Sequence, residues 1–289
     1  VRYSTTGSKS AAIRDVQPFF GEFAMGGAAI AHNGNITNAD DLRRELIERG
    51  SIFQSSSDSE CIIHLMARSL QRNIPERMED ALRRVEGAFS VVAMTRTKLI
   101  GVRDPLGVRP LVLGKIGDGW ALSSETCALD IIGAEFVREI KPGEMVVIQN
   151  SGVESHFPFK PQNSRFCIFE HVYFSIPDSI IGGHSVYETR RQIGVELAKE
   201  SPVAADLVCP VPDSGTPAAI GYSQESGIPY AMGIIRNQYM GRTFIEPTEQ
   251  IRNMGVRLKL NVNRALIKDR RIILVDDSVV RGTTSRKIK

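Results

Sequence analysis

The sequence has few cysteines and no long hydrophobic run. It contains four cysteines in 289 residues, too few and too widely spaced for a disulfide scaffold or a CxxC zinc pair. We therefore expect a reducing, cytoplasmic environment. No apolar run approaches the roughly 18 residues of a membrane-spanning helix, so we expect no membrane partner.

A large excess of one charge is also absent, because the formal net charge is +3. Proteins that hold nucleic acid by neutralising phosphates need a strong basic field, so we expect no nucleic-acid partner. What is present is a globular composition, with 42% hydrophobic and 24% charged residues. It excludes a mainly disordered chain, and the length suffices for two domains.

Neither end of the sequence resembles a natural boundary. The chain opens on Val1-Arg2-Tyr3-Ser4-Thr5 without an initiator Met, and a helix is expected to begin near Thr284, close to the last residue. We expect the sequence to be a piece of a longer protein.

Helical and strand patterns are segregated in the first half, which favours α+β layers. Apolar residues at helical spacing predict a helix over 40–49, with Asn38 or Thr37 as its N-cap and Gly50 as its end. The Ser57-Asp58-Ser59-Glu60 segment fits a capping box. The helix after it is expected to bury Cys61, Ile62, Leu65, Met66 and Leu70. A third helix is predicted over 78–85, and strands are predicted over 89–94, 99–103, 111–113, 120–122 and 145–148.

A proline-spaced stretch, Phe157-Pro158-Phe159-Lys160-Pro161, is the predicted linker between domains 1–160 and 161–289. After it, helices over 185–200 and from Thr216 alternate with apolar runs at 207–211, 230–235 and 271–275. The continuous run Ile272-Ile273-Leu274-Val275 is typical of a strand buried on both faces of a parallel sheet. The second domain is therefore predicted to be α/β.

The residues that directly follow this last strand form the most informative candidate binding site in the sequence. Asp276 and Asp277 are expected at the carboxyl edge of the sheet, where open α/β sheets bind ligands. They can accept hydrogen bonds from ribose hydroxyls or approach a hard cation. Gly282, Thr283, Thr284 and Ser285 then offer a phosphate cradle at a helix start. The bland alternative is an acidic strand end that only caps a helix.

Two further segments support an anionic substrate. The stretch 209–219 runs from a strand through a tight loop into a helix, with Thr216 as N-cap and Pro217 at the first helical position, and is either a second phosphate site or an ordinary turn. The cation-rich stretch from Asn237 through Lys259 fits a lid that excludes water, or else a solvated excursion.

In the first half of the chain, the sequence predicts a strand that ends at Asn33-Gly34. It is either a hairpin turn or an oxyanion hole made by the Asn33 side-chain amide and the Gly34 N–H. Arg2 offers a fork to an α-carboxylate and Asp58 a counter-charge to an α-ammonium. Taken singly, each fits a surface ion pair or, for Asp58, a first-turn helix acid.

Together these motifs resemble the N-terminal-nucleophile (Ntn) glutamine amidotransferases and, more narrowly, the glutamine phosphoribosylpyrophosphate amidotransferase family. The residues that carry the resemblance are Val1 to Thr5, Ala31 to Ile36, Ser57 to Glu60, Asp104 to Leu111, Ser123 to Glu125, Phe169 to Phe174, Pro177 to Ser179, Tyr239 to Ile245 and Asp276 to Ser285. It implies Ntn layers followed by a type I phosphoribosyltransferase domain.

The resemblance implies an enzyme of purine biosynthesis. Ammonia released from glutamine would displace pyrophosphate from phosphoribosylpyrophosphate to give 5-phosphoribosylamine. It also implies Mg²⁺, purine nucleotide feedback inhibitors and a homo-oligomer, a tetramer.

The resemblance also assigns residues to roles. Arg2 and Asp58 would hold glutamine, and Asn33 and Gly34 would form the oxyanion hole. Asp276 and Asp277 would bind ribose and, with Ser214, the metal. The 5-phosphate would lie against Val279, Val280, Arg281, Gly282, Thr283, Thr284 and Ser285, under a closing loop that contains Tyr239 and Arg242.

Three points depart from the family pattern or vary within it. The family's nucleophile, an N-terminal cysteine whose α-amino group is the base, belongs before Val1, so the chain as given is expected not to hydrolyse glutamine. Gln238 replaces a basic residue in the lid. Cys167 stands where some members have the first ligand of a four-iron four-sulfur cluster, and its alternative is a small buried hydrophobe.

The sequence leaves two alternative functions open besides the phosphoribosylpyrophosphate amidotransferase. Another Ntn amidotransferase, such as one that makes an amino sugar, would lack the 276–285 loop. A non-enzymatic sensor of phosphoribosylpyrophosphate would lack the N-terminal cysteine.

Overall fold

The computed structural model describes residues 13–237 and 260–278. They fall into two compact units, divided between Cys167 and Ile168. Within the described ranges, no helix is long and apolar enough to cross a membrane.

The first unit is built on a six-stranded antiparallel sheet. Its strands along the chain are β1 (Phe19–Phe23), β2 (Gly26–Ile36), β3 (Gly87–Thr95), β4 (Leu99–Arg103), β8 (Met145–Gln149) and β9 (Gly152–His156), and they lie in that order in the sheet. Strand β4 has the predicted bounds, and β3 and β8 each extend beyond theirs.

Three helices belong to this unit: α1 (Ala39–Glu48), α2 (Glu60–Arg68) and α3 (Ile74–Leu82). The helices and the sheet share one hydrophobic core. The helical spacing of apolar residues in the helices and their alternation in the strands both turn apolar side chains toward that core. Its largest fully buried members include Ile30, Leu46, Ile62, Met66, Met78, Leu82, Phe89 and Ile100. The predicted third helix begins four residues earlier than expected.

A smaller antiparallel sheet completes the first unit. Strand β5 (Val112–Ile116) lies between β6 (Gly119–Ser123) and β7 (Glu135–Glu139), with helix α4 (Thr126–Ile131) between β6 and β7 in the chain. Strands β5 and β6 overlap the runs predicted at 111–113 and 120–122.

Two local predictions in this unit are wrong, and the N-cap prediction is confirmed in position only. Asn38 is the N-cap of α1, and its carbonyl accepts a hydrogen bond from the Leu42 N–H, but its side chain binds the backbone of Arg84 and Glu86. The capping box does not form, because the Glu60 carboxylate accepts hydrogen bonds from Gln54 and Ser55. Leu70 lies beyond the end of α2 and is 96% exposed.

The second unit begins with a π-helical segment, Glu170–Phe174, and a two-stranded hairpin of β10 (Ile180–Ile181) and β11 (His184–Ser185). Helix α5 (Val186–Glu200) follows, capped by the Ser185 hydroxyl. Strands β12 (Leu207–Pro210) and β15 (Ile272–Val275) pair in parallel. Helix α6 (Thr216–Ser226) follows β12, β13 (Ile234–Arg236) pairs with β14 (Leu260–Val262), and α7 spans Arg264–Ile267.

Two details of the second unit differ from expectation. Gly215, not Thr216, is the N-cap of α6, so Pro217 stands one position later than predicted. In β15 only Val275 is fully buried, while the three residues before it are partly exposed. The apolar run therefore predicted the strand correctly but overstated its burial.

Candidate functional site

Asn33 and Gly34 lie inside a strand rather than at its end. Strand β2 continues to Ile36, and Asn33 and Gly34 pair with Ser90 and Phe89 of β3. The hairpin interpretation is therefore wrong. Because side chains alternate along a strand, Asn33 is exposed and Gly34 is buried.

Gly34 has no room for a side chain. A Cβ there would lie 1.9 Å from the carbonyl oxygen of Ala88 and 2.6 Å from Nε2 of His32. Only glycine allows this approach between strands β2 and β3. The Asn-Gly pair thus combines an exposed amide side chain with a closely packed backbone.

Asp58 binds the end of the same strand. Its Oδ2 accepts a hydrogen bond from the backbone N–H of Ile36 at 3.0 Å, and its Oδ1 accepts one from the Ser59 hydroxyl at 3.2 Å. The carboxylate is buried, with 8% of the residue exposed. The structure therefore brings two predicted glutamine-site elements, Asp58 and the strand containing Asn33-Gly34, into direct contact.

The turn that contains Asp58, residues 55–59, is held by charged side chains. Asp15 accepts a hydrogen bond from the Ser56 N–H at 2.7 Å, and Arg43 donates to the carbonyls of Ser55 and Ser57. Burial alone would raise the pKa of Glu60, but hydrogen bonds from Ser55 and Gln54 outweigh it and lower that pKa. The turn that contains Asp58 is therefore held by several hydrogen bonds between charged side chains and its backbone.

Asp104 holds the 104–111 motif as a closed turn. Fully buried, it accepts hydrogen bonds from the N–H groups of Leu106, Val108 and Phe89. Burial raises its pKa despite those bonds. Arg103 donates to the carbonyls of Arg109, Ile140 and Gly107. These contacts show that Asp104 and Arg103 stabilise the fold of this turn, a structural role that requires no part in catalysis.

In the second unit, two loops leave the same edge of the parallel pair. Pro210 is in register with Val275, and the Val211 N–H donates to the Val275 carbonyl at 2.8 Å. A Cβ on Gly215 would lie 2.4 Å from that carbonyl oxygen. The loop that contains Ser214 therefore packs beside the strand end from which Asp276 emerges.

Asp276 and Asp277 form a polar pair at this edge. The Asp277 N–H donates to Asp276 Oδ1 at 2.9 Å, and the Ser278 hydroxyl donates to Asp277 Oδ1 at 2.9 Å. Burial raises the pKa of Asp276, and the adjacent Asp277 carboxylate also raises it. A bound cation would offset both effects, and carboxylate and hydroxyl oxygens are ligands suited to Mg²⁺.

Several predicted site residues lie outside the described residues: Arg2, Tyr239, Arg242, Val279, Val280, Arg281, Gly282, Thr283, Thr284 and Ser285. Cys167 is half-buried, and its N–H donates to the Val108 carbonyl. The described ranges contain no group of three or more His, Cys, Asp or Glu side chains arranged to hold a metal.

Three residues beside the Asn33-Gly34 strand were not recognised from sequence. Gln17, His32 and Ser59 are buried and hydrogen-bonded to one another. Their separations of 15, 27 and 42 residues leave no local pattern, so no sequence signal marks them as a group.

Comparison with known proteins covers both units. A family model described as "Glutamine amidotransferase domain" matches residues 8–130. An amidophosphoribosyltransferase of Rhizobium etli is 58% identical over 99% of this chain and 58% of its own length.

Solved structures agree with these matches. The glutamine phosphoribosylpyrophosphate amidotransferase from Bacillus subtilis, complexed with ADP and GMP, matches with a TM-score of 0.88 at 45% identity, over 99% of this chain and 62% of its own. A structure described as the allosteric regulatory enzyme of purine biosynthesis matches with a TM-score of 0.90 at 45% identity, over 100% of this chain and 62% of its own. This chain thus spans somewhat more than half the length of its relatives.

Proposed function

We propose that the chain forms part of an amidophosphoribosyltransferase, because it is similar to such an enzyme along 99% of its length. The reaction transfers ammonia from glutamine to phosphoribosylpyrophosphate, releases pyrophosphate and glutamate, and forms 5-phosphoribosylamine, the first committed step of purine biosynthesis. We assign residues 1–160 to an Ntn amidotransferase domain and 161–289 to a type I phosphoribosyltransferase domain with a parallel sheet.

The observation that supports this proposal most strongly is that one chain contains two candidate sites, one in each unit. The first unit joins Asp58 to the strand that contains Asn33-Gly34. The second unit sets the Ser214 loop beside the Asp276-Asp277 pair at the carboxyl edge of parallel strands. An amidotransferase for an amino sugar would use the first arrangement but has no need of the second.

In the first unit, the proposed chemistry is hydrolysis of the glutamine amide. A thiolate adds to the amide carbon, the C–N bond breaks, ammonia leaves, and water then hydrolyses the thioester to glutamate. Asn33 and Gly34 would donate hydrogen bonds to the oxyanion. Asp58 would bind the α-ammonium and Arg2 the α-carboxylate. The nucleophile would be an N-terminal cysteine preceding Val1 in the full-length protein.

In the second unit, ammonia would attack the ribose C1 as pyrophosphate leaves. Asp276 and Asp277 would accept hydrogen bonds from the ribose hydroxyls, and Ser214 and both carboxylates would hold Mg²⁺. When bound, Mg²⁺ would neutralise charge on the departing pyrophosphate. Residues 279–285 would bind the 5-phosphate, and the segment with Tyr239 and Arg242 would exclude water.

Further properties of the family enter the proposal. Inhibition by purine nucleotides is supported by the ADP and GMP in the Bacillus subtilis structure, and a cytoplasmic homo-tetramer is proposed from the family resemblance alone. Cys167 as a ligand of a four-iron four-sulfur cluster remains a prediction.

The test measures glutamate release from glutamine by the full-length protein, with and without Mg²⁺ and phosphoribosylpyrophosphate. Strong dependence on that substrate supports the coupled enzyme. Glutamine hydrolysis that is indifferent to it points to another acceptor. A protein that binds phosphoribosylpyrophosphate but hydrolyses no glutamine is a sensor.

A further inference from the structure

The buried imidazole of His32 lies between the turn that contains Asp58 and the strand β3 that pairs with Gly34. We propose that His32 is a positioning residue that fixes the distance between the Asn33-Gly34 segment and Asp58. This inference rests on the proposed function of the first unit. It concerns a side chain that lies behind the site and has no contact with glutamine assigned to it.

On one side, the ring is bonded to the turn that contains Asp58. His32 Nδ1 lies 2.8 Å from the Ser59 hydroxyl, which also donates to Asp58 Oδ1 at 3.2 Å. Nδ1 itself is 4.0 Å from that carboxylate oxygen. One hydroxyl therefore joins the ring to the group proposed to bind the ammonium.

On the other side, the ring supports the Asn33-Gly34 segment. Nε2 lies 3.4 Å from the carbonyl oxygen of Ala88, on the strand paired with Gly34. It would also be only 2.6 Å from a Cβ on Gly34. The ring and the Ala88 carbonyl together fill the space that a side chain on Gly34 would otherwise occupy.

Gln17 locks the backbone of His32 to the same hydroxyl. Its Oε1 accepts a hydrogen bond from the His32 N–H at 2.5 Å, and its Nε2 donates to Ser59 Oγ at 3.2 Å. The three residues are 7%, 3% and 1% exposed for Gln17, His32 and Ser59. Such an enclosed polar network resists displacement because each buried group depends on its partners.

A buried histidine that only stabilises the core predicts something different. Its loss would lower the stability of the unit without a selective effect on glutamine use. A positioning role predicts a selective loss, since a misplacement of about 1 Å can lower a rate about 100-fold. Free ammonia bypasses the first unit, so ammonia-dependent pyrophosphate release reports the second unit alone.

The experiment compares H32L, H32N and H32Q in the full-length protein. The control is H156L, which replaces an exposed histidine in strand β9. We expect H32L to lower kcat/KM for glutamine about 100-fold while leaving ammonia-dependent pyrophosphate release within about twofold. H32N, whose amide can occupy the position of Nδ1, should recover about tenfold over H32L. H32Q, whose amide instead approaches the position of Nε2, should recover less.

A mutant cycle with S59A tests the path to Asp58. If His32 acts through Ser59, the double variant H32L/S59A should be no more than about threefold worse than H32L, because coupled residues are not additive. Full multiplication of the two single losses would overturn that path.

The remaining outcomes separate the two proposals. If the unmodified protein releases no pyrophosphate with glutamine or ammonia, the proposed function fails. If it is active but H32L keeps its glutamine efficiency within threefold, loses both activities equally, or is not improved by H32N, the positioning role is wrong.

Discussion

The carboxylate of Asp58 accepts a hydrogen bond at 3.0 Å from the backbone N–H of Ile36, two residues beyond Gly34. This contact ties the turn before helix α2 to the strand that contains Asn33-Gly34. Two segments separated in sequence are therefore joined by a direct, buried hydrogen bond. The proposed glutamine site depends on that connection.

Replacing Asp58 by Asn should weaken glutamine binding and leave the fold intact. The amide oxygen can still accept the Ile36 hydrogen bond, but the charge for the α-ammonium is gone. Hydrogen bonds to charged groups contribute about 1.5–3 kcal/mol, so KM for glutamine should rise about 10- to 100-fold. Steady-state glutaminase kinetics measure this, with D41N on exposed helix α1 as control. An unchanged KM would remove Asp58 from the site.

Replacing Gly34 by Ala should damage the oxyanion segment. The added Cβ would meet the Ala88 carbonyl at 1.9 Å, so strand β2 must shift away from β3. We expect kcat for glutamine to fall by at least about 100-fold. The matched control is G119A, where a Cβ would be 3.4 Å from its nearest neighbour. Equal kinetics in the two variants would contradict the close approach.

Asp277→Asn should separate the two activities. Loss of one carboxylate at the edge of the parallel pair weakens the proposed Mg²⁺ and ribose contacts. Pyrophosphate release driven by free ammonia should fall about 100-fold. Basal glutamine hydrolysis, measured without phosphoribosylpyrophosphate, should change by less than about twofold, since every residue proposed to act on glutamine belongs to the first unit and Asp277 belongs to the second. D118N, in a surface turn of the first unit, serves as control. A parallel loss of both activities would point to a folding defect.

Gly194 in helix α5 should tolerate no side chain. A Cβ there would lie 1.9 Å from the carbonyl oxygen of Ala218 in helix α6. Overpacking of this kind typically costs about 1–3 kcal/mol. We expect G194A to lower the free energy of unfolding of the second unit in urea, while Q192A, at an exposed position of the same helix, changes it little. Equal midpoints would show that the helices can separate freely.

The buried Glu144 should make stability depend on acid pH. Burial alone would raise its pKa, but the ion pair with Arg138 and the bonds from Lys141 and Ser155 lower it below the ordinary 4.5. A depressed pKa contributes stability above pH 4.5 that is lost as pH falls through the lower folded-state value.

The test is urea unfolding of wild type and E144Q across this pH range. E144Q should be less stable at pH 7 by about 1–3 kcal/mol, and the difference should shrink below pH 4.5. The exposed-residue variant E48Q should show no such trend. A difference that is constant with pH would contradict the role of the ion pair.

Local periodicity predicted the elements that local physics determines. Strand β4 follows from a short β-type run bounded by turn-forming residues, and helix α1 follows from helical apolar spacing. The parallel pairing of β15 agrees with its continuous apolar run. Errors arose where a distant partner decides the outcome. The side chain of the N-cap residue Asn38 binds the segment before β3 instead of its own helix, and Asn33-Gly34 continues a strand because β3 pairs along it.

The site shows the same division. Asp58, Asp276 and Asp277 were predicted as site residues because their neighbours in sequence form motifs. Gln17 and His32 were not, since their roles come from contacts across 15 to 42 residues. Without knowledge of its hydrogen-bond partners, the sequence cannot distinguish a histidine that only stabilises the core from one that supports a functional site.

Coupled transfer is tested most directly by the stoichiometry of products from the full-length protein. Glutamine, Mg²⁺ and phosphoribosylpyrophosphate are supplied without free ammonia, and glutamate and pyrophosphate are measured together over time. We predict equal amounts of the two products, with no pyrophosphate when glutamine is omitted. Glutamate release without matching pyrophosphate, or pyrophosphate release without glutamine, would contradict a coupled amidotransferase.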